Sequence, residues 1–449
     1  MTSFGSGRVH VIGGGLAGST LATCMAEDGL DVTLYDESEP FESRWTRGMQ
    51  TAPESHKAAE PEIFYDPRGV VAAFFARYPE IPKKLIRPTH CVMGLKRGRR
   101  KPAIVSLDEG ISRALISRRI GTTMRAYTAF TLWRQRYASE EERVASTLSP
   151  GTFATDDKAF KSGTYHRDAL SVLAESLFSM PAHRCSKALL GRVLVPDLRE
   201  ILARHHEPVF SAIDPIILND IALPALRDRL LAAGGTIKAH TKLGDIDSTS
   251  EYATDLLFED GTQVVLKPND AVVLALHPKP LCDAVPDIGI SAAPAYRRSM
   301  TFELRQPFAE PRALMVNDDI VRAIYFNRRR LQVALNSSLQ LPASQDTAQF
   351  AQLVWQRCVW LCEQYLALDL STRVDGDDKN QAPGHLFLNA QAPFPEMTPG
   401  IAAARQHLRA PWKNAFLCGE VFTPDQLPGP AALFSSVLDT CRMLQKFFA

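Results

Sequence analysis

Three glycines near the start of the chain have the spacing of a phosphate-binding turn. Gly13, Gly15 and Gly18 belong to the stretch GGGLAG, which directly follows the apolar run VHVI. The first glycine can adopt the positive φ of a tight turn, the second leaves room for a pyrophosphate, and the third lets a helix pack closely on the strand. That helix directs unpaired N–H groups and the positive end of its dipole at the same point. The pattern therefore predicts an anion site made by backbone rather than by lysine.

Asp36 supplies a second chemical signal. It ends the apolar run VTLYD that follows the predicted helix, and a carboxylate there accepts hydrogen bonds from a ribose diol. Strand, glycine turn, helix, strand and acid thus occur in the order of a βαβ dinucleotide-binding unit over residues 8–36. The glycine spacing does not choose between NAD and FAD. The alternative is a tight glycine turn without a ligand.

The composition is that of an ordinary globular protein. The chain has 449 residues, of which 45% are hydrophobic, and a formal net charge of +1, so no overall field favours nucleic acid. Eight scattered cysteines form no CxxC pair or zinc-like pattern, which predicts no metal site and favours a reducing cytoplasm. No apolar run resembles a signal peptide or is long enough to span a bilayer. We expect a cytoplasmic protein, with attachment to the inner membrane face left open.

Further elements are predicted around the βαβ unit. Residues 66–85 have the pattern of an amphipathic helix stopped by prolines, and residues 140–206 contain short helical patterns. The later predictions are a helix closed by Gly234 and Gly235, a strand around 243–246, a hairpin turning at 260–261, the buried strand DAVVLALHP, antiparallel strands over 296–340, a helix over 346–368, and a final strand and helix from KNAFLCGEV onward.

Residues 95–137 are strongly basic, with eleven lysines and arginines against two acidic residues. Apolar and aromatic residues interleave with them, often at helical spacing. One interpretation is a pair of helices that packs on its own domain and exposes a basic face. The other is an amphipathic surface that attracts an anionic membrane, at about 1 kcal/mol per well-placed cation. Nothing else in the chain supports binding to nucleic acid.

The order of these pieces resembles the amine-oxidase and carotenoid-desaturase superfamily of FAD enzymes. The glycine motif, the middle segment that ends in DAVVLALHP, and the closing NAFLCGEVFTPDQLPGP with SSVLDTCRML spread the resemblance over the whole chain. The closing segment is most similar to squalene- and phytoene-type desaturases, including hydroxysqualene dehydroxylase. The usual Gly-Gly-Arg after the second strand is missing, and the last helix has LFSSV where relatives commonly have a glycine.

The resemblance implies a role for particular residues in binding FAD. Arg44 and Arg47 follow the second strand as candidates for the phosphates. The other implied positions are Gly13, Gly15 and Gly18 at the pyrophosphate, Asp36 at the adenosine ribose, the backbone of Leu243 at the adenine, Gly419 and Glu420 beside the ribityl chain, and the segment from Leu427 to Leu433 at the isoalloxazine ring.

The resemblance also implies an α/β fold of two parts. A Rossmann-like, glutathione-reductase-like FAD-binding domain would be assembled from residues 1–89, 206–290 and 401–449. An α+β substrate domain would combine a helical cap over residues 90–205 with an antiparallel sheet and a long helix over residues 291–400.

The implied function is that of an FAD-dependent oxidoreductase that moves hydride to or from an apolar, isoprenoid or lipid-like substrate. Ser299 stands nearest the place where amine oxidases carry a lysine, which counts against an oxygen-using amine oxidase. That class nevertheless stays as the alternative, with Arg297 or Arg298 clamping a carboxylate if the substrate is an amino acid. The third hypothesis is a protein that binds flavin but catalyses no reaction.

No catalytic residue is identified from the sequence. Removal of an allylic hydroxyl would need an acid, and the unranked candidates are His56, Asp214, Asp318, Asp319 and His277. Substrate, electron acceptor and oligomeric state stay open.

Overall fold

The computed structural model gives the architecture of most of the chain. It describes residues 7–41, 62–97, 100–111, 114, 164–178, 180–181, 183–185, 208–288, 294–336, 339, 347–374, 382–395, 405, 409–423 and 429–449. Within these ranges no helix is long and apolar enough to cross a membrane.

A five-stranded sheet organises the first part of the fold. Its strands are β1 (Arg8–Ile12), β2 (Asp31–Tyr35), β8 (Thr236–Lys238), β12 (Ala271–Leu274) and β18 (Ala415–Leu417). They lie in the order β18-β12-β1-β2-β8, and every neighbouring pair is parallel. Helix α1 (Leu16–Glu27) connects β1 to β2. Three distant segments of the sequence therefore build one Rossmann-like sheet.

Two three-stranded sheets flank the parallel sheet. One contains β9 (Leu243–Ser248), β10 (Ala253–Phe258) and β11 (Gln263–Val265), and its strands pair antiparallel. The other places β7 (Phe210–Ile213) between β3 (Glu62–Tyr65) and β4 (Ile86–Pro88). The predicted strand around 243–246 and the hairpin after it are therefore confirmed.

A seven-stranded sheet forms the second part of the fold. Its order is β17-β13-β16-β15-β14-β5-β6, and each neighbouring pair is antiparallel except β14 with β5. The strands are β5 (His90–Arg97), β6 (Arg100–Ser106), β13 (Pro294–Glu303), β14 (Arg312–Val316), β15 (Val321–Asn327), β16 (Arg330–Leu335) and β17 (His385–Pro395). The predicted antiparallel strands over 296–340 are confirmed.

Two expectations are wrong in the region before this sheet. Residues 90–106, expected within a helical cap, form β5 and β6, where Cys91, Met93 and Leu95 are buried at every second position. The long helix over 66–85 is limited to α2 (Val70–Phe75), after which the chain turns toward a short 3-10 turn. In this region the helical spacing of the apolar residues and the prolines therefore predicted the elements less well than period-2 alternation does.

The remaining described helices are α3 (Thr164–Phe178), α4 (Leu223–Ala232), α5 (Pro278–Ala284), α6 (Thr347–Leu366) and α7 (Pro430–Phe448). Helix α6 packs on one face of the seven-stranded sheet, where Trp355 contacts Phe302 with ring centroids 5.3 Å apart. Its Cys358 and Cys362 are fully buried, as expected for core packing. Helices α1 and α7 cover the parallel sheet.

One hydrophobic core connects the two parts of the molecule. It includes Ile12, Leu417 and Val421 from the parallel sheet and its following turn. The same core includes Ala323 and Ala334 on the face of the seven-stranded sheet that α6 does not cover. The expected α/β class, a Rossmann-like parallel sheet with separate antiparallel sheets, is confirmed.

Candidate functional site

A large cavity lies at the carboxyl ends of the parallel strands. It has a volume of about 1100 Å³, including space open to solvent at its mouth. Its walls come from the turn after β1, the end of β2, the residues before β9, the segment after β12 and the turn after β18. Ligands of open α/β sheets bind at this edge, because the loops and helix N-termini converge there.

The three motif glycines occupy the cavity edge in different ways. Gly13 has φ +106°, and its N–H donates to the Tyr35 carbonyl at 2.8 Å. A Cβ on Gly18 would lie 1.9 Å from the Gly13 carbonyl oxygen, so only glycine allows α1 this close to the turn. A Cβ on Gly15 would meet no atom within 4 Å, although Gly15 lines the cavity. The space beside Gly15 is therefore part of the open cavity.

Gly14 has a packing role that the motif did not predict. A Cβ there would lie 2.4 Å from the Cβ of Pro40. The Gly14 carbonyl also accepts from the Phe41 N–H at 2.9 Å and from the Ser19 hydroxyl at 2.6 Å. The loop after β2 therefore packs directly against the glycine turn and is hydrogen-bonded to it.

Asp36 lines the cavity and also braces the glycine turn. Its Oδ2 accepts from the Gly14 N–H at 2.5 Å, while Oδ1 accepts from the Ser38 N–H at 2.8 Å and its hydroxyl at 2.6 Å. The carboxylate thus fixes the glycine turn at the edge of the cavity. Glu37 beside it also lines the cavity and was not predicted.

Leu243 lies in the wall near Asp36, as the resemblance implied for the adenine end. The two preceding residues, Thr241 and Lys242, line the same wall. The Thr241 N–H donates to the Asp36 carbonyl at 2.7 Å, which attaches this segment to the end of β2. The Lys242 ammonium lies 2.5 Å from the Glu259 carboxylate and is thereby paired.

Gly419 and Glu420 complete the opposite wall. Gly419 has φ +145°, and its N–H donates to the Ser436 hydroxyl of α7 at 3.0 Å. Glu420 is 5% exposed and begins a 3-10 turn over Glu420–Phe422. Leu433 in the first turn of α7 also lines the cavity. The serine of LFSSV thus fixes the turn to the last helix.

The other candidates fall into three groups. Arg44, Arg47, His56 and Leu427 lie outside the described residues. His277 lines the cavity. The remaining carboxylates serve structure or solvent: Asp214 caps a helical turn and pairs with Arg87 at 3.3 Å, Asp318 pairs with Arg357, and Asp319 is exposed.

Arg298 does not line the cavity and lies on the side of β13 that faces α6. It alternates along β13 with Met300 and Phe302, which pack against α6. Its Nη1 donates to the Leu339 carbonyl at 2.7 Å. The side chain of Arg297 is outside the described part of the structure.

Comparison with known proteins agrees with this geometry. A model described as an NAD(P)-binding Rossmann-like domain matches residues 11–46. An oxidoreductase from Methanosarcina mazei has a TM-score of 0.64 at 11% identity, over 97% of this chain and 100% of that one. The chain has the fold of oxidoreductases. A comparison with curated proteins finds no match.

Two oxidases share the same architecture. A putrescine oxidase variant with redesigned cofactor binding has a TM-score of 0.63 at 11% identity, over 98% of this chain and 99% of that one. Cyclohexylamine oxidase from Brevibacterium oxydans has a TM-score of 0.62 at 14% identity, again over 98% and 99% of the two chains. At these identities the likeness shows the oxidoreductase fold, including that of amine oxidases.

Proposed function

We propose that this chain is an FAD-dependent oxidoreductase. The observation that carries the proposal is a single cavity whose walls come from the glycine turn at one end of the sequence and the Gly419 turn at the other. The glycine turn alone would suit NAD or FAD. A second wall close to a helix N-terminus favours a cofactor whose far end develops negative charge on reduction, as a flavin does.

The residues present fit such a cofactor. Gly15 leaves open space where a Cβ would meet nothing, and the first turn of α1 directs its N–H groups toward that space. Asp36 would hold the ribose, and the backbones at Leu243 and Gly419 would flank the two ends. When bound, FAD would supply hydride transfer at its N5 atom. The protein would bind it, orient it and exclude water.

An isoprenoid or lipid-like substrate is one candidate class. The closing segment from KNAFLCGEV to the last helix supports it, through its resemblance to desaturases. Hydride transfer to or from such a molecule requires mainly an apolar cavity and few acid-base groups. In this class, residues 95–137 would contact an anionic membrane of the cytoplasmic face, where the lipid is loaded.

A substrate that carries an N–H or O–H group is the second candidate class. Gln332 on β16 lies beside Thr301 of β13 and Tyr325 of β15, on the sheet face that α6 does not cover. Gln332 is 5% exposed, and its Oε1 accepts no hydrogen bond from the described residues. An unpaired buried acceptor costs about 1–3 kcal/mol, so a ligand donor opposite it would be favoured. The fold shared with putrescine and cyclohexylamine oxidases also supports this class.

Reconstitution with cofactors tests the proposal itself. The purified chain is expected to bind FAD, observed as quenching of flavin fluorescence, and to be stabilised by it against heat. A protein that binds NAD but never flavin would overturn the proposal.

Anaerobic reduction of the bound flavin separates the two substrate classes. Diamines and cyclic amines are compared with isoprenoid alcohols and polyenes, with peroxide formation followed afterwards in air. If an amine is the substrate, Gln332→Leu should raise its KM about tenfold or more, because the variant removes the acceptor. An unchanged KM would exclude Gln332 from substrate binding.

Flotation with anionic liposomes tests the membrane contact. Binding at low salt that is lost at high salt is expected if residues 95–137 attract lipid headgroups. Absence of binding at low salt would remove the membrane from the proposal.

A further inference from the structure

Arg405 is a buried charge immediately behind the cofactor cavity. It is 1% exposed, and its guanidinium donates to three backbone carbonyls of one turn. Nε donates to Val421 at 2.9 Å, while Nη2 donates to Thr423 at 2.7 Å and to Glu420 at 3.2 Å. Arginine is rarely buried this completely unless its donors are satisfied. These three hydrogen bonds indicate that the buried Arg405 side chain holds the turn in place.

The turn that Arg405 holds is part of the cavity wall. Gly419, Glu420, Val421 and Phe422 all line the cavity. On its other side, the Thr423 hydroxyl donates to the Ala432 carbonyl of α7 at 3.3 Å. The turn is therefore fixed between the guanidinium and the last helix, and the guanidinium lies one residue layer behind the wall.

The direction of the carbonyls determines where the amides point. The C=O and N–H of one trans peptide point in opposite directions, so the Val421 N–H points away from the guanidinium that binds the Glu420 carbonyl. With the Glu420 carbonyl bound to Arg405, the turn directs the Val421 N–H to its remaining side, where the Glu420 carboxylate also belongs to the cavity lining. The positive charge behind the turn offsets that carboxylate and adds to the attraction of the N–H for an anion, and burial weakens solvent screening.

We propose that Arg405 is a positioning residue that shapes the Glu420–Thr423 turn for the flavin and whose charge favours the reduced, anionic flavin. This rests on the proposed function, since it assigns the turn to FAD. Arg405 acts through the turn and is not placed in contact with the cofactor.

Two substitutions separate shape from charge. Arg405→Met removes both the charge and the donors at similar volume, and Arg405→Lys keeps the charge but loses the planar fork. We expect Arg405→Met to weaken FAD binding about tenfold or more and to move the midpoint potential to more negative values. We expect Arg405→Lys to weaken binding while leaving the potential closer to that of the wild type.

Arg322→Met is the matched control. Arg322 is 5% exposed and donates to the backbone carbonyl of Glu175 on α3 at 3.2 Å, away from the cavity wall. It should lower the thermal unfolding temperature of the apoprotein without changing FAD affinity or potential. FAD affinity is measured by fluorescence quenching and the potential by dye equilibration.

The outcomes distinguish this inference from the proposed function. A wild-type protein that binds no FAD overturns the proposed function and the inference together. If the wild-type protein binds FAD, the inference alone is overturned when Arg405→Lys leaves FAD affinity and midpoint potential unchanged. The same result for Arg405→Met, where that variant folds, would also overturn it. Equal changes of FAD affinity and potential in the Arg405 and Arg322 variants would show that Arg405 stabilises only the fold and has no specific effect on the flavin.

Discussion

Gly15 and Gly18 belong to one motif, yet an added methyl group would meet different surroundings at each. At Gly18 it would lie 1.9 Å from a backbone oxygen, whereas at Gly15 it would project into open space. Gly15 also has φ −66°, which any residue can adopt. Gly18 is therefore required by the close packing of α1 on the turn. Gly15 would be required by the proposed cofactor in the cavity.

Alanine substitutions should separate these two roles. Gly15→Ala is expected to leave the stability of the apoprotein within about 0.5 kcal/mol and to weaken FAD binding about tenfold or more, because the methyl group enters phosphate space. Gly18→Ala is expected to lower the stability of the apoprotein by about 1–3 kcal/mol. Urea unfolding measures the stability of each apoprotein, and FAD titration measures the affinity. Unchanged FAD binding in Gly15→Ala would show that no phosphate lies beside Gly15.

His10 gives the fold a dependence on pH. It is 1% exposed on β1, with Nδ1 3.2 Å from the Tyr35 hydroxyl and Nε2 3.9 Å from a carboxylate oxygen of Asp270. Burial lowers the pKa of His10 more than Asp270 raises it. The unfolded chain, with a histidine pKa near 6.5, therefore takes up the proton first as the pH falls. The contribution to stability is complete above about pH 6.5 and decreases below it.

The variant His10→Gln should lose this part of the pH dependence. Urea unfolding gives the free energy of unfolding at pH 7.5 and 5.5. The decrease between these pH values should be larger for the wild type than for the variant. Asp66 and Asp168, whose pKa values burial raises, act in the opposite direction but are common to both. Parallel pH profiles for the two proteins would show that His10 does not carry the effect.

Local spacing predicted some site residues and could not predict others. Gly13 and Asp36 were predicted from the spacing of turn and strand end, and Gly419 from the resemblance of the closing segment. Arg405 and Ser436 were not found, since their partners are backbone atoms that only tertiary folding brings near them. Asp36 was predicted as a ribose ligand, but its bond to the Gly14 N–H is visible only in the structure.

At the scale of the element, helical spacing was misleading where a strand forms. The apolar residues that interleave with the basic ones from residue 95 onward favoured helices, but β5 buries every second side chain against α3 and the core. The glycines that end α4 were sufficient to place the next strand, because a Gly C-cap is a strong local signal. The pairing of β14 with β5 depends on contacts between distant segments and had no local signal.

A buried ion pair joins α6 to its sheet in addition to the hydrophobic packing. The side chain of Asp318, just after β14, is 1% exposed and accepts from Arg357 Nε at 2.9 Å. Arg357 also stacks on Trp360, 4.3 Å from the ring centroid. Although burial opposes it, the bonds from Arg357 and the neighbouring backbone lower the pKa of Asp318.

Removing one partner should therefore be costly. Arg357→Met leaves a buried carboxylate unpaired and is expected to destabilise the fold by about 2–3 kcal/mol, allowing for the partial exposure of Arg357. The control Arg442→Met breaks an exposed pair with Asp439 and should change stability by less than about 0.5 kcal/mol. Urea unfolding compares them, and equal small effects would show that the buried pair does not hold α6.

At the scale of the whole molecule, five segments separated in the sequence meet at one cavity. They are the turn at Gly13–Ala17, the end of β2, the residues Thr241–Leu243, the residues Ala275–Pro278 after β12 and the turn at Cys418–Phe422. The parallel sheet holds all five, since each lies beside a strand of that sheet or is bonded to one. A ligand that fills the cavity would link them energetically.

Hydrogen–deuterium exchange should reveal that link. Addition of FAD is expected to slow amide exchange in all five segments together, because the ligand stabilises the folded state that joins them. Peptides from β10 and β11, which contribute no residue to the cavity lining, serve as the internal control. Protection confined to residues 11–46 would instead indicate a ligand held by the N-terminal unit alone.

The position of β1 at the centre of the parallel sheet also affects how the protein is made. Its neighbour β12 and the edge strand β18 follow β1 by roughly 260 and 400 residues. At the usual 5–20 residues per second, β1 is synthesised about 20–80 s before the ribosome finishes the wall that faces it. The cavity at the end of β1 can therefore form only after β18 has been synthesised, so a ligand that needs both walls cannot be retained before then.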